Sequence, residues 1–198
     1  MKKGLFSLVL CAIATPATHA VVINMEGFTG AYKPNCTGGP CTVGGTTYTE
    51  DGYSLTARNI FAAWRPGNIN YTGSTALFDA SFTDSQFFEM TNGVGVFTVL
   101  SIDFAEIYKD SGSKTWDVVG TFADSTTVRQ KITLDGTPGF ETFKLLGFTD
   151  VVKVSWEGSY GSQYDNIRIA DVPEPSTLAL MTIGLAGIGS VGRRKGAA

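Results

Sequence analysis

A chain of 198 residues with a formal net charge of −3 and only 17% charged residues lacks the basic face that phosphate binding needs, which argues against nucleic acid as a partner. Its 24 glycines and 12% aromatic residues, with no long amphipathic helical period ahead of the C-terminal run, point to strands and turns.

Lys2 and Lys3 precede an apolar run from Gly4 to Ala14, and Thr18-His19-Ala20 puts small residues where a signal peptidase inspects the chain. The pattern predicts a secretory signal peptide over residues 1–20, cut after Ala20. Cys11 raises a lipoprotein signal as the rival, but Leu10 is too bulky to precede a lipidated cysteine. Cleavage removes His19, the one histidine, and with it the base that Ser-His-Asp or Cys-His catalysis requires.

Residues 21–171 then form one domain, of a size that buries about two-thirds of its surface without help. Between Val21 and Val172 stand ten Lys and Arg against seventeen Asp and Glu, a net charge of −7. Cys36 and Cys41 flank Thr37-Gly38-Gly39-Pro40, a turn-forming stretch, and export into an oxidising compartment predicts a local disulfide between them. Half a metal site is the alternative, with neither a second cysteine pair nor a histidine to complete it.

Strands are expected at Val21 to Met25 and Tyr53 to Ala57, on either side of a Gly-rich cysteine loop, and again at Ala76 to Phe82 and Gln86 to Thr91. From there alternation is strict. Leu100, Ile102 and Phe104 fall on one face, opposite Ser101, Asp103 and Ala105. Trp116, Val118 and Phe122 continue the pattern, followed by Val128, Ile132 and Leu134, then Val152, Val154 and Trp156. Gly-rich and Asp-rich turns at 110–112, 135–139 and 158–161 separate these runs. The spacing predicts an all-β fold, an antiparallel β-sandwich of jelly-roll type.

Trp64, Tyr71 and Tyr160 sit among Gly, Asn and Ser in expected loops, where they could stack on sugar rings; core packing is the competing reading. Trp116 and Trp156 follow strand periodicity and are assigned to the core. Glu26, Glu89, Glu106, Glu141 and Glu157 leave a carboxylate-pair glycosidase open, although solvated surface carboxylates account for the same residues. In the closing segment Gln163 to Ala170, period two puts Asp165 on the face of Ile167 and Ile169, so a carboxylate stands at the edge of the core side and needs a partner.

From residue 172 to 198 three parts follow in order: Pro173-Glu174-Pro175, a nearly uncharged run over 176–192, and Arg193-Arg194-Lys195. As a helix the run is roughly 25 Å long, within reach of a thin bilayer, and the terminal cations hold that end on the cytoplasmic side. Gly187-Ile188-Gly189-Ser190-Val191-Gly192 has the spacing of a dinucleotide fingerprint but no strand before it. This tail resembles the PEP-CTERM sorting signal of Gram-negative bacteria. The resemblance implies that an exosortase in the inner membrane recognises Pro173, Glu174, Pro175, Arg193 and Arg194, removes the helix, and passes the domain to the cell surface or beyond. A permanent transmembrane anchor is the alternative.

Residues 96–170 are also similar to galactose-binding-like jelly rolls, through the strand containing Ser101-Ile102-Asp103, the Gly120 to Leu134 hairpin and the closing Tyr164-Asp165-Asn166-Ile167. That likeness implies a structural calcium ion held between Glu26, just after the first strand, and Asp165 in the last; backbone capping of Asp165 without metal is its rival. The expected function is that of an exported, non-enzymatic surface or extracellular-matrix protein. A carbohydrate-binding module for an extracellular polysaccharide and a carboxylate glycosidase are the alternatives.

Overall fold

Strands whose apolar residues recur at every second position leave one face to be covered, and here two sheets cover one another. The computed structural model describes residues 20–80, 86–93, 95–108, 112–158 and 161–170. Residues 1–19 of the expected signal peptide and the expected tail at 172–198, with Pro173, Glu174, Pro175, Arg193, Arg194 and the 176–192 run, lie outside them. Among the described residues no helix is long and apolar enough to cross a membrane.

In chain order the strands are β1 (Val21–Ile23), β2 (Ala31–Cys36), β3 (Gly39–Val43), β4 (Thr47–Glu50), β5 (Tyr53–Ala57), β6 (Phe61–Trp64), β7 (Leu77–Asp79), β8 (Gln86–Asn92), β9 (Thr98–Glu106), β10 (Thr115–Thr121), β11 (Thr127–Thr133), β12 (Glu141–Lys144), β13 (Lys153–Gly158) and β14 (Ser162–Ala170). The first sheet runs β12-β9-β14-β7-β6-β3-β2, with β1 also paired to β14; the second runs β11-β10-β13-β8-β5-β4. Both are antiparallel throughout their paired strands. The fold is the all-β sandwich that the alternation predicts.

Aromatic rings fill the space between the sheets. Tyr164 of β14 lies 4.7 Å from Phe88 and 4.9 Å from Trp156, both edge-on, and Phe104 of β9 stands 5.9 Å from Trp116. Gly120 is required at its place in β10, because a Cβ there would come within 2.9 Å of Val128, Phe148 and Val151 side-chain carbons. Leu100 departs from the expected face. It is 44% exposed while Val99 and Ile102 are buried, because the β9–β14 register shifts between Arg168 and Ile169.

Two further expectations need correction. The cysteine loop is a hairpin, β2 and β3, whose outer strand tolerates Pro34 because it forms the edge of the first sheet. Trp64 is not in a loop. It ends β6 and is 2% exposed on the outer face of the first sheet, where it packs with Cys41, Ala62, Phe78 and Ile107 in a second apolar cluster. Its indole N–H donates to the Ile107 carbonyl at 3.2 Å, and its ring lies 4.6 Å from Phe78. The loop after it is tied down by Asn68, whose amide donates to the carbonyls of Thr37 and Pro40.

The Cys36–Cys41 disulfide is formed, with Cα atoms 5.8 Å apart. It closes a short loop, whereas Trp64 holds a cluster together. Replacing both cysteines by Ser is expected to cost about 2 kcal/mol at most, and Trp64→Ala about 3–5 kcal/mol, in urea unfolding of the folded domain.

Candidate functional site

Two places gather candidate side chains, on the outer faces of the two sheets. The first depends on a bulge in β14. Asn166 adopts a left-handed φ of 46°, and the β9–β14 register breaks between Asp165 and Arg168. The extra residue keeps Tyr164 and Ile167 both in the core and turns Asp165 to the opposite face, directly across from Asp103 of β9. Strict alternation, which put Asp165 on the face of Ile167 and Ile169, is overturned there.

Asp165 is fully buried on that outer face. Ser74 Oγ donates to its Oδ2, and the Asn166 amide donates to its Oδ1 at 2.7 Å. Glu26, just past β1, takes the neighbouring donors: Thr75 gives its amide to Oε1 and its hydroxyl to Oε2, both at 3.0 Å. Asp103 accepts from Thr142 Oγ1 at 2.7 Å. Burial pushes the Asp165 carboxyl up to about 6, the Ser74 and Asn166 donors pull it down, and the charges of Glu26 and Asp103 add to the rise.

The fold thus brings Glu26 and Asp165 together through the consecutive donors Ser74 and Thr75. Each of the four carboxylate oxygens already accepts a hydrogen bond. That arrangement satisfies the buried carboxylate with protein donors alone. Asp103, Ser74 and Thr75 were not singled out from the sequence. Asp103 was visible as a residue opposite Ile102 and Phe104, but its pairing with Asp165 depends on a bulge that no local pattern announces.

The second place is a cleft of about 530 Å³ on the outer face of the second sheet, lined by Phe87, Thr115, Asp117, Arg129, Ser155 and Glu157 among others. Arg58 reaches over it, 3.1 Å from Glu157 and 5.6 Å above the Phe87 ring. These positions alternate with core residues Trp116, Val118, Val154 and Trp156, so the polar face follows from the same period that builds the core. Of the aromatics expected to stack on sugars, Trp64 is buried, Tyr71 is half-buried against the second apolar cluster, and Tyr160 lies outside the described residues.

A folded-state value near 6 against an ordinary 3.8 means the folded protein holds the Asp165 proton more tightly than the unfolded chain does. The contribution of Asp165 to stability is therefore fully present below the unfolded value and declines as pH rises through this window, then levels off. Urea melts of the wild type and Asp165→Asn from pH 3.5 to 7 should show the variant gaining relative to wild type across that range. A relative loss would mean that the ionised carboxylate is the favoured form.

By sequence, no curated protein matches the chain. Among solved structures it is similar to a DUF4465 family protein from Bacteroides ovatus, at 8% identity and TM-score 0.43, covering 79% of this chain and all of that one. It is also similar to a family 29 carbohydrate-binding module, at 9% identity and TM-score 0.35, covering 80% of this chain and 97% of the module. A variant of such a module in complex with mannohexaose gives 8% identity and TM-score 0.36, covering 78% and 92%. These likenesses are too distant to transfer a binding site. The tail is different, because residues 171–195 match the PEP-CTERM protein-sorting motif, which marks this β-sandwich protein as one exported and sorted through the membrane toward the cell surface.

Proposed function

We propose that the chain is an exosortase substrate whose sandwich domain is delivered to the cell surface or extracellular matrix, where it has an adhesive, non-catalytic role. The observation that carries this reading is the sorting motif at 171–195, in which Pro173-Glu174-Pro175 precedes the apolar run and Arg193 and Arg194 follow it. A plain anchor has no need of a helix-refusing triplet at the membrane boundary. Intact mass of the protein recovered from the surface of its host tests it. A species cut near Pro173-Glu174-Pro175 and lacking 176–198 is expected; one retaining Arg193 and Arg194 would leave only a permanent anchor.

The cleft on the second sheet favours polysaccharide as what the domain adheres to. Asp117, Glu157 and Arg129 offer hydrogen bonds to sugar hydroxyls around one aromatic ring, Phe87, in place of the loop aromatics. Asp117→Ala with Phe87→Ala is expected to abolish retention of the protein on host polysaccharide in affinity electrophoresis, with the melting temperature little changed. Undiminished retention would remove the cleft from this role. A calcium ion between Glu26 and Asp165 is the further proposal for the first sheet. It would have to displace or share the donors of Ser74, Thr75 and Asn166, and a calcium-dependent rise in melting temperature that is smaller in Glu26→Gln than in wild type is its signature.

A further inference from the structure

At the other end of β14 the structure assembles a different acidic group. Glu106, the last residue of β9, follows the parity of Phe104 and faces inward at the rim of the sandwich, 4% exposed. The connection from β11 to β12 folds back over it. Gly136, at a φ of 85° that glycine adopts freely, donates its amide to Glu106 Oε1 at 2.9 Å. In the same connection Glu141 Oε1 accepts the Asp135 amide at 3.0 Å, and Asp135 Oδ1 accepts the Thr137 amide at 2.6 Å. The turn therefore gathers three carboxylates, each contributing an oxygen within 4.8 Å of the others.

Like charges so close repel, and although turn amides offset part of this, no ion pair to the three carboxylates is seen among the described residues. The ion pairs seen there, Arg58–Glu157 and Lys153–Glu89, lie elsewhere. Burial raises the Glu106 carboxyl above its ordinary value, and Glu141 and Asp135 push the same way. Independently, two buried polar atoms at this spot lack partners. Glu106 Oε2 has none, and neither has Ser162 Oγ, on a residue 1% exposed and directly opposite Glu106 in the β9–β14 ladder, hence on the same face. An unpaired buried carboxylate oxygen and an unpaired buried hydroxyl on residues facing one another across a ladder are each costly unless a further group satisfies them.

We propose that Glu106, Asp135 and Glu141 bind a calcium ion that fastens the 134–140 turn to the end of β9. The donors are all hard oxygens, which excludes the metals that prefer imidazole or thiolate. Calcium holds its oxygens at 2.3–2.6 Å, so ligands on opposite sides of the ion are at most about 4.6–5.2 Å apart, whereas magnesium allows only about 4.0–4.2 Å. The three oxygens lie within 4.8 Å of one another, inside calcium's span, and magnesium, which keeps several of its waters, is poorly served by a set of three protein carboxylates. Water and turn carbonyls complete the coordination, and the half-exposed Glu141 and exposed Asp135 leave an open path for exchange with solvent. This site differs from the Glu26–Asp165 pair, where every carboxylate oxygen already has a protein donor.

The test uses the full chain in detergent, stripped with chelator and titrated with calcium chloride by calorimetry, with magnesium chloride in parallel. Wild type should bind calcium saturably in the range of extracellular modules, about 10⁻⁴–10⁻³ M, and bind magnesium more weakly. Glu141→Gln and, separately, the exposed Asp135→Asn should each weaken calcium binding at this site at least about tenfold through loss of a charged ligand, while Asp124→Asn, an exposed turn carboxylate outside both acidic groups, leaves it unchanged. Circular dichroism establishes that each variant is folded; should Glu141→Gln fail, Asp135→Asn carries the same readout. No uptake by wild type at about 10 mM calcium, well above that range, would overturn the proposal. So would binding that survives Glu141→Gln and Asp135→Asn but is lost in Glu26→Gln, which would put the ion in the other cradle.

Discussion

The pairing of β14 with β9 is the constraint on which the rest of this sandwich depends. It puts Tyr164 against Phe88 and Trp156 at the centre of the core, sets Asp165 opposite Asp103 on the outer face, and places Ser162 beside Glu106 at the rim. One left-handed residue, Asn166, makes these placements compatible. Without its extra residue, Tyr164 and Ile167 could not both point inward, and either an aromatic ring would leave the core or Asp165 would enter it. Burial of the Tyr164 ring offsets the strain of the bulge, which falls on Asn, a residue that enters the left-handed region more readily than most.

Acidic residues are concentrated around the same two strands. Between Val21 and Val172 the chain carries a net charge of −7, and both β9 and β14 bring carboxylates into positions with little solvent. The two clusters solve the resulting problem differently. Around Asp165, hydroxyl and amide donors from Ser74, Thr75 and Asn166 saturate the oxygens. Around Glu106, backbone amides of the turn satisfy some oxygens but leave Oε2 without a partner. The contrast comes from what the crossing segment offers: a Ser-Thr pair in one case, an Asp-Gly turn that adds its own negative charge in the other.

Much of the fold was legible because period two survives where both neighbours of a strand are strands. β5 emerges with the bounds that alternation indicates, and Trp116 and Trp156 are core as their spacing requires. The early hairpin was not legible, since Ala31-Tyr32-Lys33-Pro34-Asn35-Cys36 has no apolar alternation; it is an edge strand whose side chains are largely exposed. β6 was missed for the opposite reason. Phe61-Ala62-Ala63-Trp64 is buried on both faces, so no polar residue marks its outer side, and Trp64 reads as a loop aromatic. At the candidate site, Glu26 and Asp165 are neighbours as the fold likeness implied, yet Asp165 faces the other way, because a bulge inverts parity and leaves no trace in composition.

Cross-strand proton contacts in the nuclear Overhauser spectrum of the labelled domain test this register most directly. Contacts of Asp165 with Asp103 and of Tyr164 with Phe104, with an interruption at Asn166, are the result that the β9–β14 pairing requires. An uninterrupted ladder through Asn166, with Asp165 contacting core residues beside Ile167, would contradict it and would remove the basis for both acidic clusters.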